Sequence, residues 1–224
     1  MATILITGAN RGIGLELARQ YAAAGHDVIR TARGHDRAEK SVGELLPLDV
    51  TNDASVAALA DMLAGRPIDL VINNAGVSGP DPAHQSSTDM DFAGFLSVLD
   101  ANVIGPLRVT QALLPNLRAA KGAKVAVVSS RMGQFNNEWL SGFVAYRASK
   151  AAVNKVFQIL AADLKAEGIA VAMLHPGWVR TDMGGPGADL DVSESAAGII
   201  EVLAGLDVAT TGRFTAYNGE ALAW

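Results

Sequence analysis

Cysteine is absent from the 224 residues, which excludes disulfides, thiolate nucleophiles and Cys-ligated zinc. Histidine is scarce. His26, His35, His84 and His175 are far apart and match no metal-ligand spacing, so no metal site is expected. Positive charge is short as well: 18 Lys and Arg stand against 23 Asp and Glu, a net charge of -5. A chain this acidic lacks the basic footprint of a nucleic-acid binder. No apolar run reaches about 18 residues, so no membrane span is expected. The start, Met1-Ala2-Thr3-Ile4-Leu5-Ile6, lacks the basic opening and long apolar middle of a signal peptide. A cytoplasmic location is the resulting expectation. No Pro-, Ser- or charge-rich linker divides the sequence, so residues 1–224 are read as one domain. Half of the residues are hydrophobic, enough for a sizeable core.

What the chain does contain is a recurring alternation of short apolar runs and helical patterns. The runs are Thr3–Thr7, Asp27–Thr31, Ile68–Ile72, Lys124–Ser129 and Ile169–Leu174, with weaker ones at Leu45–Leu48 and Arg213–Ala216. They are Val-, Ile-, Leu- and Ala-rich without strict alternation, as strands buried on both faces are. Between them, Val56, Leu59, Ala60 and Leu63 form a helical stripe with Asp53 as its expected N-cap. Thr88 and Asp91 form a capping-box pattern opening a helix to about Leu117, expected to bend near Gly105-Pro106. Another helix is expected from about Ala145 to Glu167, with Gly168 as its stop. Strand–helix alternation predicts an α/β fold: a Rossmann-type, doubly wound, mainly parallel seven-stranded sheet with helices on both faces. The ligand site of such a sheet lies at the carboxyl ends of its strands.

The first strand runs straight into Thr7-Gly8-Ala9-Asn10-Arg11-Gly12-Ile13-Gly14, and a helical pattern follows at once. Glycines between a strand and a helix let the backbone approach a pyrophosphate, and the helix N-terminus supplies free N–H groups. The spacing G-x3-G-x-G is neither G-x-G-x-x-G nor a P-loop. The second strand ends in Thr31-Ala32-Arg33, where an NAD site usually carries an acid for the ribose. Arg33 and Arg11 suit a 2′-phosphate instead, because guanidinium grips phosphate bidentately. The plain alternative is two solvated surface arginines. Asp36 is the acid a rival NAD reading would use, and it sits beyond the strand end.

Tyr146 and Lys150 are i and i+4 on one expected helix face. Bringing a Tyr from its usual pKa to near 7 takes about 4 kcal/mol of preference for phenolate. A unit charge at roughly 4 Å with effective ε near 20 supplies about 4 kcal/mol. An adjacent ammonium could therefore make Tyr146 a general acid or base. Taken alone, the same spacing fits a surface Tyr beside an ordinary helix Lys. Ser129 and Ser130 end the fifth run at the same carboxyl edge, where a hydroxyl can bond a carbonyl oxygen or simply satisfy turn backbone. There is no His/Asp partner set and no G-x-S-x-G elbow, which disfavours hydrolysis.

Together these motifs resemble the short-chain dehydrogenase/reductase family. Thr7–Gly14 resembles its glycine loop, and Asp49-Val50 its adenine contact. Asn74-Ala75-Gly76 resembles its strand-four motif, and Asn102 its helical catalytic Asn. Ser130, Tyr146 and Lys150 complete the resemblance to its catalytic set. Pro176-Gly177, Val179 and Thr181 are similar to its nicotinamide-side turn. The order is the family's, and the motifs cover nearly the whole chain. The runs Ser129–Gly133 and His175–Val179, with Tyr-Arg-Ala-Ser-Lys and the ending at Trp224, also resemble the C-factor and sniffer-like carbonyl reductases.

The resemblance implies an oxidoreductase using NADP(H), with NAD(H) as the other possible cofactor. It implies hydride transfer between nicotinamide and a carbonyl or secondary alcohol. Tyr146 would move the proton, and Ser130 would polarise the oxygen. Lys150 would lower the Tyr pKa and bind ribose, and Asn102 would hold a relay water. A homodimer or homotetramer through the long helices is the implied assembly. Phe135 and Trp139, in a loop longer than the family's, read either as substrate contacts or as loop anchors. Trp178 reads as facing the substrate or the core. The segment Asp182–Asp191, the family's substrate lid, is short. Two other functions remain. One is an NADPH-binding sensor or signalling protein on the same fold, which fold alone does not exclude. The other is an extended-type epimerase or dehydratase, for whose extra substrate domain 224 residues leave little room.

Overall fold

The computed structural model describes residues 1–34, 42–135 and 141–224. Seven parallel strands form one sheet in the order β3-β2-β1-β4-β5-β6-β7. They are β1 Thr3–Thr7, β2 Asp27–Ala32, β3 Glu44–Pro47, β4 Leu70–Asn73, β5 Lys124–Val128, β6 Ala170–His175 and β7 Arg213–Ala216. The two weak runs of the sequence are thus its edge strands. The helices are α1 Gly12–Ala23, α2 Asp53–Met62, α3 Phe92–Leu99, α4 Gly105–Ala112, α5 Leu114–Ala119, α6 Val144–Leu164 and α7 Val192–Ala204.

Alternate strand residues feed two cores, which is why the strands read as continuous apolar runs. Leu5, Val71, Val125 and Val171 pack on one face with Leu59, Val109, Val153 and Phe157 from α2, α4 and α6. Ile4, Ile6, Ile72 and Leu174 pack on the other with Leu17 of α1 and Ile199 and Leu203 of α7. The chain winds outward from β1 to β3 and then returns to set β4 beside β1. That reversal opens a crevice at the carboxyl edge between β1 and β4.

Three local expectations are corrected. Asn52, not Asp53, caps α2: its side chain accepts from the Ser55 N–H, and Asp53 is the first helical residue. Asp91, not Thr88, caps α3 by accepting from the Gly94 N–H. The helix after it does not simply bend at Gly105-Pro106. It widens into a π turn over Asp100–Ile104. The Gly105 N–H reaches back to the Asp100 carbonyl, one residue beyond the α register, and Pro106, with no N–H to give, opens the next helix. Phe92–Ala112 is also long and apolar enough, by length and composition, to cross a membrane. Here it packs against α6 along α3 and the π turn.

Candidate active site

The glycine loop is fixed by a cross-tie between the ends of β1 and β4. Thr7 Oγ1 accepts from the N–H groups of Asn74 and Ala75, both at 3.0 Å. Asn74 Nδ2 returns to the Thr7 and Gly8 carbonyls at 2.9 and 3.2 Å. The packing leaves no room for side chains at two of the glycines. A Cβ on Gly8, whose φ is +65°, would stand 2.9 Å from Ala75 Cα. One on Gly14 would stand 2.4 Å from Asn74 Nδ2 and 2.7 Å from the Gly8 carbonyl oxygen. Gly14 thus supports the loop from behind, while Gly8, Asn10, Arg11, Gly12 and Ile13 line the cleft.

That cleft has a volume of about 650 Å³, within the roughly 300–1,000 Å³ of cofactor sites. At one end stand Arg33, Asp49 and Val50. Hydrogen bonds from the Thr51 hydroxyl and N–H hold the Asp49 carboxyl below the usual range, with smaller help from Arg33 and Arg108. In the middle, Asn74, Ala75 and Gly76 form the β4 wall. At the other end are Tyr146, Lys150, Pro176 and Thr181. A bare glycine cradle at a helix N-terminus, with two arginines along the channel, fits a phosphorylated dinucleotide. Asp36, the rival acid, lies outside the described residues.

Ser130 ends the segment after β5 and caps a short 3-10 turn by accepting from Met132 N–H at 3.1 Å. Its hydroxyl also lies beside the Tyr146 phenol and favours the ionised form. Lys150 is 6% exposed, and its Nζ donates to the Val128 carbonyl at 2.8 Å. The same Nζ lies 5.4 Å from the centre of the Tyr146 ring. The electrostatics depart from the sequence expectation. Burial pushes the Tyr146 phenol up, against a smaller opposing effect from the Ser130 hydroxyl. Burial also pulls Lys150 down from 10.5 to about 8. Point-charge arithmetic omitted desolvation, which acts on both partners and wins here.

Asn102 is brought to the site by the π turn and is 1% exposed. Its side chain is committed: Oδ1 accepts from Val77 N–H, and Nδ2 donates to the Val77 carbonyl and Ser149 Oγ. Ser149 Oγ in turn donates to the Tyr146 carbonyl at 2.7 Å. Asn102 therefore joins the loop after β4 to the helix that carries Tyr146. A Cβ at Gly76 would lie 3.0 Å from Asn102 Oδ1 and 3.9 Å from Lys150 Nζ, so all three adjoin.

The turn after β6 is only partly as expected. Gly177 and Val179 stand behind the cleft wall: a Cβ on Gly177 would meet Leu190 Cδ2 at 2.7 Å, and Val179 is 4% exposed and bridges Leu190. Trp178 faces neither cleft nor core. It is 56% exposed, and its Nε1 donates to the Gly184 carbonyl at 2.9 Å. Phe135 is 87% exposed and does not line the cleft. Trp139 lies outside the described residues. Sequence reading missed Asp182, Arg180 and Arg19, which line the cleft. Each lacks a motif of its own. The post-β6 position of Asp182 and Arg180, next to Thr181, was the available signal.

Residues 2–189 match the family model for short chain dehydrogenase. The chain belongs to the short-chain dehydrogenase family. It is 43% identical over 167 residues to the C-signal of Myxococcus xanthus, covering 75% of this chain and 99% of that protein. The NADPH-bound carbonyl reductase from chicken fatty liver superposes with a TM-score of 0.91 at 32% identity, covering 100% of this chain and 99% of the other. The carbonyl reductase Sniffer of D. melanogaster gives 0.91 at 31%, with 100% of both chains covered. This short-chain dehydrogenase therefore has C-factor and sniffer-like relatives, and it is an oxidoreductase by family.

Proposed function

We propose that this short-chain dehydrogenase is an NADP(H)-dependent reductase of small carbonyl compounds, working as one catalytic domain. The observation that carries the reading is Tyr146 beside Lys150 at one end of a cleft, with Ser130 next to the Tyr146 phenol, while the other end holds Arg33 and the glycine loop carries Arg11. The bound nicotinamide supplies the hydride. The chain supplies position and a proton. Ser130 bonds and polarises the carbonyl oxygen while Tyr146 gives it the proton. Burial keeps the phenol protonated, which is the donor form in the reductive direction. Lys150 steadies the phenolate that forms and binds ribose from the cleft wall. The Asn102 side chain positions Tyr146 through Ser149. A relay water at Asn102 is therefore assigned to its main-chain carbonyl.

The test follows NADPH and NADH oxidation against aldehydes, ketones, diketones and quinones, with Tyr146→Phe in parallel. Expected is turnover that prefers NADPH and falls at least about 100-fold in the variant, with NADPH binding retained. Unchanged turnover in Tyr146→Phe would sink the mechanism. NADPH binding without turnover on any carbonyl would favour the second reading, a sensor or signalling protein, which the likeness to the C-signal supports.

The assembly proposed is a homo-oligomer through the α3–α6 side. Phe92, Leu96 and Ile104 are exposed along α3 and the π turn, and Ile159 on the neighbouring α6. An apolar face of this kind fits a second copy of the chain.

A further inference from the structure

The chain after β6 folds back on itself and is held as one unit. Arg180 Nη1 donates to the Ala188 carbonyl at 2.9 Å, and its guanidinium pairs with Asp191 at 2.8 Å. Thr181 Oγ1 accepts from the Gly184 N–H at 3.1 Å. This loop meets the glycine loop at two points. The Thr181 methyl lies 3.5 Å from where a Gly12 Cβ would be. Beside it, the Asp182 carboxylate pairs with the Arg11 guanidinium. Both residues also line the cofactor cleft.

Arg11 is the residue before α1, in an extended conformation and without a side-chain capping bond. Its guanidinium is thus the charged group carried at the anion-binding helix N-terminus, and a carboxylate already occupies it. A phosphate offers guanidinium the same bidentate geometry with more charge. The two side chains are 61% and 68% exposed, so their pairing is weak and water-screened.

We propose that Asp182 sets cofactor specificity by competing for Arg11. The 2′-phosphate of NADPH takes the guanidinium and opens the pair, whereas NADH leaves it shut. The Arg11–Asp182 pair is then a latch between the glycine loop and residues 182–191, released by the phosphorylated cofactor alone. This rests on the proposed assignment of Arg11 to that phosphate.

The test is fluorescence titration of NADPH and NADH into the wild type, Asp182→Asn, Arg11→Ala and the double variant. Asp182→Asn is expected to tighten NADPH by about two- to fivefold, the range of an exposed ion pair, and NADH by less than about twofold. Arg11→Ala is expected to weaken NADPH by about tenfold or more. In the Arg11→Ala background, Asp182→Asn is expected to change nothing, which separates competition from simple repulsion of phosphate by Asp182. If Arg11→Ala leaves NADPH binding intact, the phosphate assignment fails and the latch with it. If Arg11→Ala weakens NADPH but Asp182→Asn does not tighten it, the latch alone is wrong.

Discussion

Replacing Lys150 by Met should make the protein more stable while abolishing turnover. The ammonium is held in a buried site that lowers its pKa from 10.5 to about 8. At roughly 1.4 kcal/mol per decade, keeping that charge in the folded state costs about 3 kcal/mol below pH 8. Methionine has similar reach and no charge to desolvate. What it loses is the hydrogen bond from Nζ to the Val128 carbonyl at 2.8 Å. Leaving that carbonyl without its donor costs about 1 kcal/mol. The net expectation is a gain of about 2 kcal/mol near pH 7, or a Tm rise of about 4–8 °C for a chain of this size. The sign of the pH dependence is fixed by the depressed pKa. Between about 8 and 10.5 the unfolded chain binds the Lys150 proton and the folded one does not, so wild-type stability rises with pH. The variant lacks that rise, and its advantage must shrink across the same window. Urea unfolding of the dinucleotide-free protein, near pH 7 and again at about pH 9.5, measures both effects. A Lys150→Met protein less stable than wild type near neutrality would refute the reasoning. So would an advantage of the same size at both pH values.

Gly133→Ala tests the support of Ser130. The added Cβ would stand 2.6 Å from the Lys150 carbonyl carbon and 2.8 Å from Ala151 N, both backbone atoms. The 3-10 turn must therefore lift off α6 and carry Ser130 from Tyr146. A kcat fall of about tenfold or more is expected, with NADPH affinity changed less than about threefold and about 1–3 kcal/mol of stability lost; an unaltered kcat counts against the geometry. Leu96→Glu places a charge on the exposed face of α3, where Leu96 is 67% exposed. Light scattering should show a monomer for the variant and an oligomer for the wild type, and a monomeric wild type overturns the proposed assembly.

The sequence alone determined what depends on periodicity and neighbours along the chain. Strands covered on both faces must be apolar throughout, so their runs foretold the parallel sheet, down to Arg213–Ala216. The glycines between β1 and α1 and the i, i+4 spacing of Tyr146 and Lys150 fixed where the chemistry would sit. Strand ends deliver such residues to one edge whatever the loops do. The tertiary structure decided what depends on groups far apart in sequence. Arg11 meets Asp182, 171 residues away. Asn102 is committed to Val77 and Ser149, 25 and 47 residues away, and serves as a tie. The pKa directions of Tyr146 and Lys150 follow from burial beneath other elements, which no local spacing encodes. Phe135 read as a substrate contact or a loop anchor and Trp178 as facing substrate or core; both are largely exposed, and neither lines the cleft. An aromatic side chain signals apolar area, and only the path of its loop decides which surface that area joins.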